Sequence, residues 1–154
     1  DDDKRLYEIL SQQKARLQSS LAAAGHSTAV MRAASYYSPV SNFQDRIAGI
    51  GYFRLVEELE KHFEEKKEIL KENLKKLMLL IFRPENLFVS VTTDEKGYQG
   101  VEGRVSTLRH LLYQTPIQTG KINYDLQQRN EGFSTAGQVQ YVAVSGNFKE
   151  AGYE

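Results

Sequence analysis

The sequence predicts an α+β chain, mostly helical with few strands, and three observations carry that prediction. Apolar residues recur at helical spacing over most of the first 82 residues. Two short stretches, "LFVSVTTD" from Leu87 and "GQVQYVAVSGNF" from Gly137, alternate apolar and polar residues as half-buried strands do. Between them lie a further helical pattern and a polar stretch, Thr115 to Glu131, that reads as a linker.

Each element has its own signal. Leu6, Ile9, Leu10, Leu17 and Leu21 form one helical face, with Asp3 as N-cap candidate and Gly25 as stop. A shorter helix from His26 to about Tyr36 ends at Ser38–Pro39, because a residue before proline disfavours helical geometry. The next helix starts near Ser41 or Asn42 and meets a break at Gly49–Gly51. A charged helical stretch follows, its stripe being Leu55, Leu59, Phe63, Leu70, Leu74, Leu77 and Ile81, and "RPEN" at Arg83–Asn86 ends it. Residues 87–92 read as a strand, "DEKGYQG" as a turn, and Val101 to Tyr113 as a closing helix. Gln138 to Ser145 reads as a last strand, expected to pair with residues 87–92 or with another molecule, since a lone strand is not stable.

Composition removes several function classes. Lys plus Arg and Asp plus Glu stand at 20 each, so no net field recruits nucleic acid or an anionic membrane. No cysteine is present, which excludes disulfides and thiol nucleophiles. The longest apolar run, Leu77 to Phe82, is far too short to span a bilayer.

The pentapeptide "HFEEK" at His62–Lys66 is one residue away from H-x-x-E-H, a zinc-binding signature. Zinc takes neutral imidazole or carboxylate donors, whereas a lysine ammonium has a positive charge and no free lone pair. The stretch therefore reads as a helix junction, with Glu64 and Glu65 favouring a new helix N-terminus. His26, beside Ser27, and His110, beside Arg109, have no third partner that would make a catalytic or metal group. From Arg54 to Lys76 seven basic and seven acidic residues intermix, with Glu57–Lys61 and Glu72–Lys76 in the favourable i,i+4 orientation, which is a solvated face. Tyr36, Tyr37, Phe43, Tyr52 and Phe53 surround the helix breaks. They are the candidate aromatic junction or peptide contact.

Two long strings carry more than their chemistry. The stretch from Gly25 to Glu95, "GHSTAVMRAASYYSPVSNFQDRIAGIGYFRLVEELEKHFEEKKEILKENLKKLMLLIFRPENLFVSVTTDE", resembles the C-terminal half of insulinase-like zinc metallopeptidases of the presequence-protease branch. "NEGFSTAGQVQYVAVSGNF", Asn130 to Phe148, resembles the next landmark of the same family, where its last domain begins.

The resemblance implies a large peptidase of four related α/β domains closing around a chamber in which unfolded peptides are degraded. Residues 1–114 would be the latter part of the third domain, 115–131 a linker, and 132–154 the start of the fourth. Val139, Tyr141 and Ala143 would then lie on one face of the fourth domain's first strand. The family's zinc ligands and its substrate-positioning arginine and tyrosine lie outside the matched strings. No catalytic or metal residue is therefore carried over to this chain, and zinc is expected only elsewhere in the parent enzyme. Its partners would be the remaining domains and the unfolded peptide, with no nucleic acid and no membrane. The compartment implied is intracellular, a bacterial cytoplasm or an organelle matrix. The competing expectation is an independent helical module that holds a protein or peptide at the Tyr36–Phe53 junction.

Overall fold

A computed structural model describes residues 2–118, 120–135 and 138–153, the side chain of Glu102 excepted. Thr119 of the expected linker, and Ala136, Gly137 and Glu154 of the expected fourth-domain start, lie outside the described residues. Six α-helices follow one another: α1 (Asp2–Ala23), α2 (Gly25–Ala34), α3 (Pro39–Ala48), α4 (Ile50–Lys61), α5 (Phe63–Ile81) and α6 (Glu95–Leu111). A single 3-10 turn, Pro84–Asn86, follows α5.

The α+β expectation is corrected: among the described residues the chain is all-helical, with no strand. Residues 87–92 and 138–145 belong to no sheet. Their alternation is nonetheless visible in their exposure. Phe88 is 88 % exposed against 41 % for Val89 and for Val91. Val142 and Val144 are 81 % and 92 % exposed, against 48 % for Tyr141. Alternation specifies two faces, but a strand also needs a neighbouring backbone to take its N–H and C=O groups. This chain places none beside either segment.

The helix boundaries follow from local chemistry. Gly25 begins α2 rather than stopping α1, and Ala24 alone separates the two helices. Asp3 lies inside α1, not at its cap. Ser38 caps α3 by accepting from the Ser41 N–H at 3.3 Å, with Pro39 at the first helical position. The α3–α4 break falls at Gly49, and the α4–α5 break at His62. Asp94 caps α6 by accepting from the Gly97 N–H at 2.8 Å. "DEKGYQG" is therefore that cap and the opening turns of α6, not a loop; a good cap with an acidic first turn outweighs two interior glycines.

The chain divides into two compact units, residues 1–66 with 122–154, and residues 67–121, the divide falling within α5. In the first unit α4 packs against α1 and α3, and α2 against α3. Its core is Ile50, Val56 and Phe63. Leu55, expected in the stripe, is 53 % exposed, and Val56 takes its place at 3 %. Polar contacts fasten α1 to α4: Lys14 Nζ bonds Glu60 Oε2 at 2.8 Å and Ser11 Oγ bonds Glu60 Oε1 at 3.2 Å. In the second unit Asn86 Nδ2 donates to the Leu80 and Ile81 carbonyls, closing the end of α5. The Tyr113 N–H donates to the Phe82 carbonyl at 2.9 Å, tying the chain just past α6 to the chain just past α5.

Candidate functional site

The most developed side-chain cluster lies in the first unit, around Arg32 in the last turn of α2. Its guanidinium bonds Asp45 Oδ2 of α3 at 2.6 Å and Glu131 Oε2 at 2.8 Å. The Glu131 carboxylate also accepts from the Tyr36 hydroxyl and, at 3.1 Å, from Arg54 of α4. Three donors from two helices and a turn therefore converge on one carboxylate. The arginines also lie over rings, Arg32 over Tyr36 at 5.3 Å and Arg54 over Phe133 at 5.0 Å.

The electrostatics follow from this geometry. The hydrogen bond from Arg32 lowers the Glu131 pKa, burial works against it, and Tyr36 and Arg54 add to the lowering, which leaves Glu131 at about 2. Burial opposes the Arg32 charge, but hydrogen bonds to Glu131 and Asp45 more than offset it, so its pKa is raised. Tyr36 is raised by burial and by its hydrogen bond to Glu131, so it keeps the proton it donates.

Asp45 explains the "GIG" break. Its Oδ2 also accepts from the Gly51 N–H at 3.1 Å. A Cβ on Gly49 would stand 2.5 Å from Asp45 Oδ1, and one on Gly51 would stand 2.6 Å from Oδ2. Both glycines are there because a carboxylate occupies the space a side chain would need.

The five predicted aromatic residues are placed differently from one another. Tyr36 joins the Arg32–Glu131 node, and Tyr52 accepts from Gln13 Nε2 of α1 at 3.4 Å. Phe43 is 47 % exposed on α3, while Tyr37 and Phe53 are half-buried. Among the described residues no ring pair joins two of the five; the pairs formed include Tyr7 with Phe63 and His26 with Tyr141. Arg32, Asp45 and Glu131 were not singled out by sequence reasoning. Arg32 and Glu131 stand 99 positions apart, and nothing in local periodicity connects them.

The "HFEEK" stretch is the α4–α5 junction. His62 lies between the helices, with its Nδ1 3.6 Å from Glu65 Oε2, and Lys66 Nζ turns back to Glu58 at 2.7 Å. Among the described residues no three His, Asp or Glu side chains gather where a metal ion could be held. The residues present do not fit a zinc site, because the position of a second imidazole holds an ammonium already paired with a carboxylate. A shallow open groove of about 520 Å³ is lined by Lys14 of α1 and by Arg54, Glu57, Glu58, Glu60 and Lys61 of α4. Its lining is wholly charged, unlike the apolar lining of small-molecule sites. No described helix is long and apolar enough to cross a membrane.

Comparison with known proteins locates the chain. The associated-domain family of peptidase family M16, subfamily C, matches residues 1–59. Protein HypA of Clostridium perfringens is 32 % identical over 154 residues, covering 100 % of this chain and 16 % of the relative. Presequence protease 1, chloroplastic/mitochondrial, of Arabidopsis thaliana is 28 % identical over 155 residues, covering 99 % of this chain and 14 % of the relative. No solved structure matches. The chain thus spans less than a fifth of the curated relatives it matches. It carries the associated domain of these subfamily C peptidases and is a distant homologue of a short portion of presequence protease and HypA.

Proposed function

We propose that this chain serves as a non-catalytic part of a zinc-dependent peptidase that degrades unfolded peptides, contributing scaffold and wall to the peptide chamber. One observation carries the reading: the likeness to a presequence protease runs along 99 % of this chain but only 14 % of that protein. A piece of that share has the role of a part. Its surface supports the same reading. Leu77 to Phe82 are six consecutive large apolar residues, each 43–52 % exposed, in the second unit. Such a continuous apolar patch marks a surface that another part of a protein covers.

The chain's own residues supply no hydrolytic chemistry in this proposal. The zinc ligands and the general base would come from other parts of the parent, and the charged and aromatic groups described above hold the helices in place. An intracellular compartment, bacterial or organellar, goes with this reading.

Two measurements test it. The isolated chain should neither retain zinc after dialysis nor cleave an unfolded presequence-like peptide. One tight zinc per chain together with turnover would overturn the proposal. Reading the flanking coding sequence tests the parent directly. An H-x-x-E-H motif upstream in the same frame is expected, and a frame confined to this chain would favour a separate interaction module instead.

A further inference from the structure

We propose that residues 122–153 form a detachable strap, latched onto the α1–α4 bundle by the Glu131 carboxylate and able to release from it while the bundle stays folded. The inference does not depend on the peptidase reading.

The argument begins from how the segment is attached. Along it, side chains make the contacts to the helices. Tyr124 receives the Arg46 guanidinium at 5.8 Å, Glu131 binds Arg32, Tyr36 and Arg54, and Phe133 lies under Arg54. Tyr141 lies against His26, and Ser145 Oγ donates to the Ala33 carbonyl at 2.6 Å. The described residues from 122 to 146 form neither helix nor strand. Releasing such a segment breaks no ladder, so its attachment is a sum of separate side-chain contacts, and these are unequal.

Tyr124 and Phe133 are held by cation–π contacts to exposed arginines, which are weak. Val139, Val142, Val144 and Phe148 are each at least 63 % exposed and anchor nothing. Glu131 differs: its side chain is 15 % exposed, it is charged, and it has three donors. A charge buried with its partners is costly to strand, so Glu131 sets the strength of the attachment.

The bundle does not need the strap to keep its own charge pairing. With Glu131 withdrawn, Arg32 retains Asp45 at 2.6 Å, and Asp45 retains the Gly51 N–H. The core residues Ile50, Val56 and Phe63 all belong to α4 and the start of α5. The strap supplies none of them. Arg32 is thus shared between a permanent partner on α3 and a releasable one on the strap.

The test is limited trypsin digestion of the full 154-residue chain, read by mass spectrometry, for wild type, Glu131→Gln and Arg54→Gln. Cleavage after Arg129 reports strap release, and cleavage after Arg46 within α3 reports bundle opening. For Glu131→Gln, cleavage after Arg129 should accelerate about tenfold while cleavage after Arg46 changes less than about twofold, tenfold corresponding to ~1.4 kcal/mol. Arg54→Gln, which removes the most exposed of the three donors, should give a smaller acceleration. Equal acceleration at both sites, or failure of Glu131→Gln to fold, would show that the strap is integral and overturn the proposal. Unchanged cleavage after Arg129 would show that Glu131 is not the latch. Helical circular dichroism should also survive the cut at Arg129, and its loss would overturn detachability.

Discussion

The two units of this chain use similar residues to opposite ends. The first closes around Ile50, Val56 and Phe63 and satisfies a buried carboxylate, Asp45, with Arg32 and the Gly51 amide. The second, residues 67–121, buries among its described residues only Arg83, a cation, which pairs with the exposed Glu85 at 3.3 Å. Its apolar side chains lie outside: Leu74, Leu77, Met78, Leu79, Leu80, Ile81 and Phe82 are all exposed on α5 and just beyond it. Helix α5 holds its shape with strong helix formers, leucine, lysine and glutamate, and with ion pairs such as Glu72–Lys76 at 2.9 Å. Helicity and burial are therefore separable. One unit has both, and the other has helices whose apolar surface has no cover within it.

The largest effect expected is one that breaks this contrast directly. Phe63→Ala removes a ring that is 6 % exposed and meets Tyr7 edge-on at 5.3 Å between centroids. It should cost about 3–5 kcal/mol, the range for a buried phenylalanine. Leu80→Ala, at a side chain 47 % exposed, should cost less than about 1 kcal/mol. Urea unfolding of both variants checks the pair. Equal losses would mean that the second unit is buried as deeply as the first.

A smaller effect comes from Glu131 and has a defined sign. Its pKa falls to about 2 in the folded chain, below the ~4.3 of a free glutamate. A group lowered on folding contributes stability that is whole above its unfolded value and is lost as pH falls through its folded one. The contribution, about 2 kcal/mol after allowance for screening, should therefore be present near neutrality and fade from about pH 4.5 toward pH 2. Glu131→Gln should lower stability near neutral pH and flatten that part of the acid profile. A variant profile parallel to wild type at every pH would remove Glu131 from the account.

The sequence makes the helices legible and the node illegible, for the same physical reason. Helical periodicity is local, so Leu6, Leu10, Leu17 and Leu21, and the breaks at Ser38–Pro39, Gly49 and His62, can be read within a few residues. The strand readings at 87–92 and 138–145 used an equally local signal for a structure whose hydrogen bonds are not local. Alternation was present and the partner was not. The glycines at 49 and 51 announce a break, but what they make room for is the Asp45 carboxylate. That carboxylate's partner Arg32 stands 13 positions away and binds Glu131, itself 99 positions further along than Arg32. The legible signal nearest the node was the aromatic set, through Tyr36.

A third test asks whether local chemistry sets the helix limits in the less buried unit. Asp94 caps α6 through the Gly97 N–H, and the helix carries glycines at 97, 100 and 103. With little burial to compensate, Asp94→Ala should cost about 1 kcal/mol of helix stability and fray the turn before Val101. Amide exchange at Gly97 and Tyr98 reads it. Retained protection there would mean that packing, rather than the cap, holds the start of α6.

The smallest effect is expected where the sequence looks most like an enzyme. Lys66→His completes H-x-x-E-H on paper, yet it places the new imidazole on α5, while His62 remains in the break before that helix. A continuous helix would set the two histidines on one face four residues apart; the break at His62 removes that register. The substitution also releases Glu58 from Lys66, an exposed pair of the kind that contributes little. The thermal midpoint should be unchanged within error, and equilibrium dialysis should find no stoichiometric zinc. Zinc retention by the variant would mean that α4 and α5 realign into one helix when a metal is offered. The α4–α5 junction, and with it the end of the first unit's core at Phe63, would then be a conformational choice rather than a fixed corner.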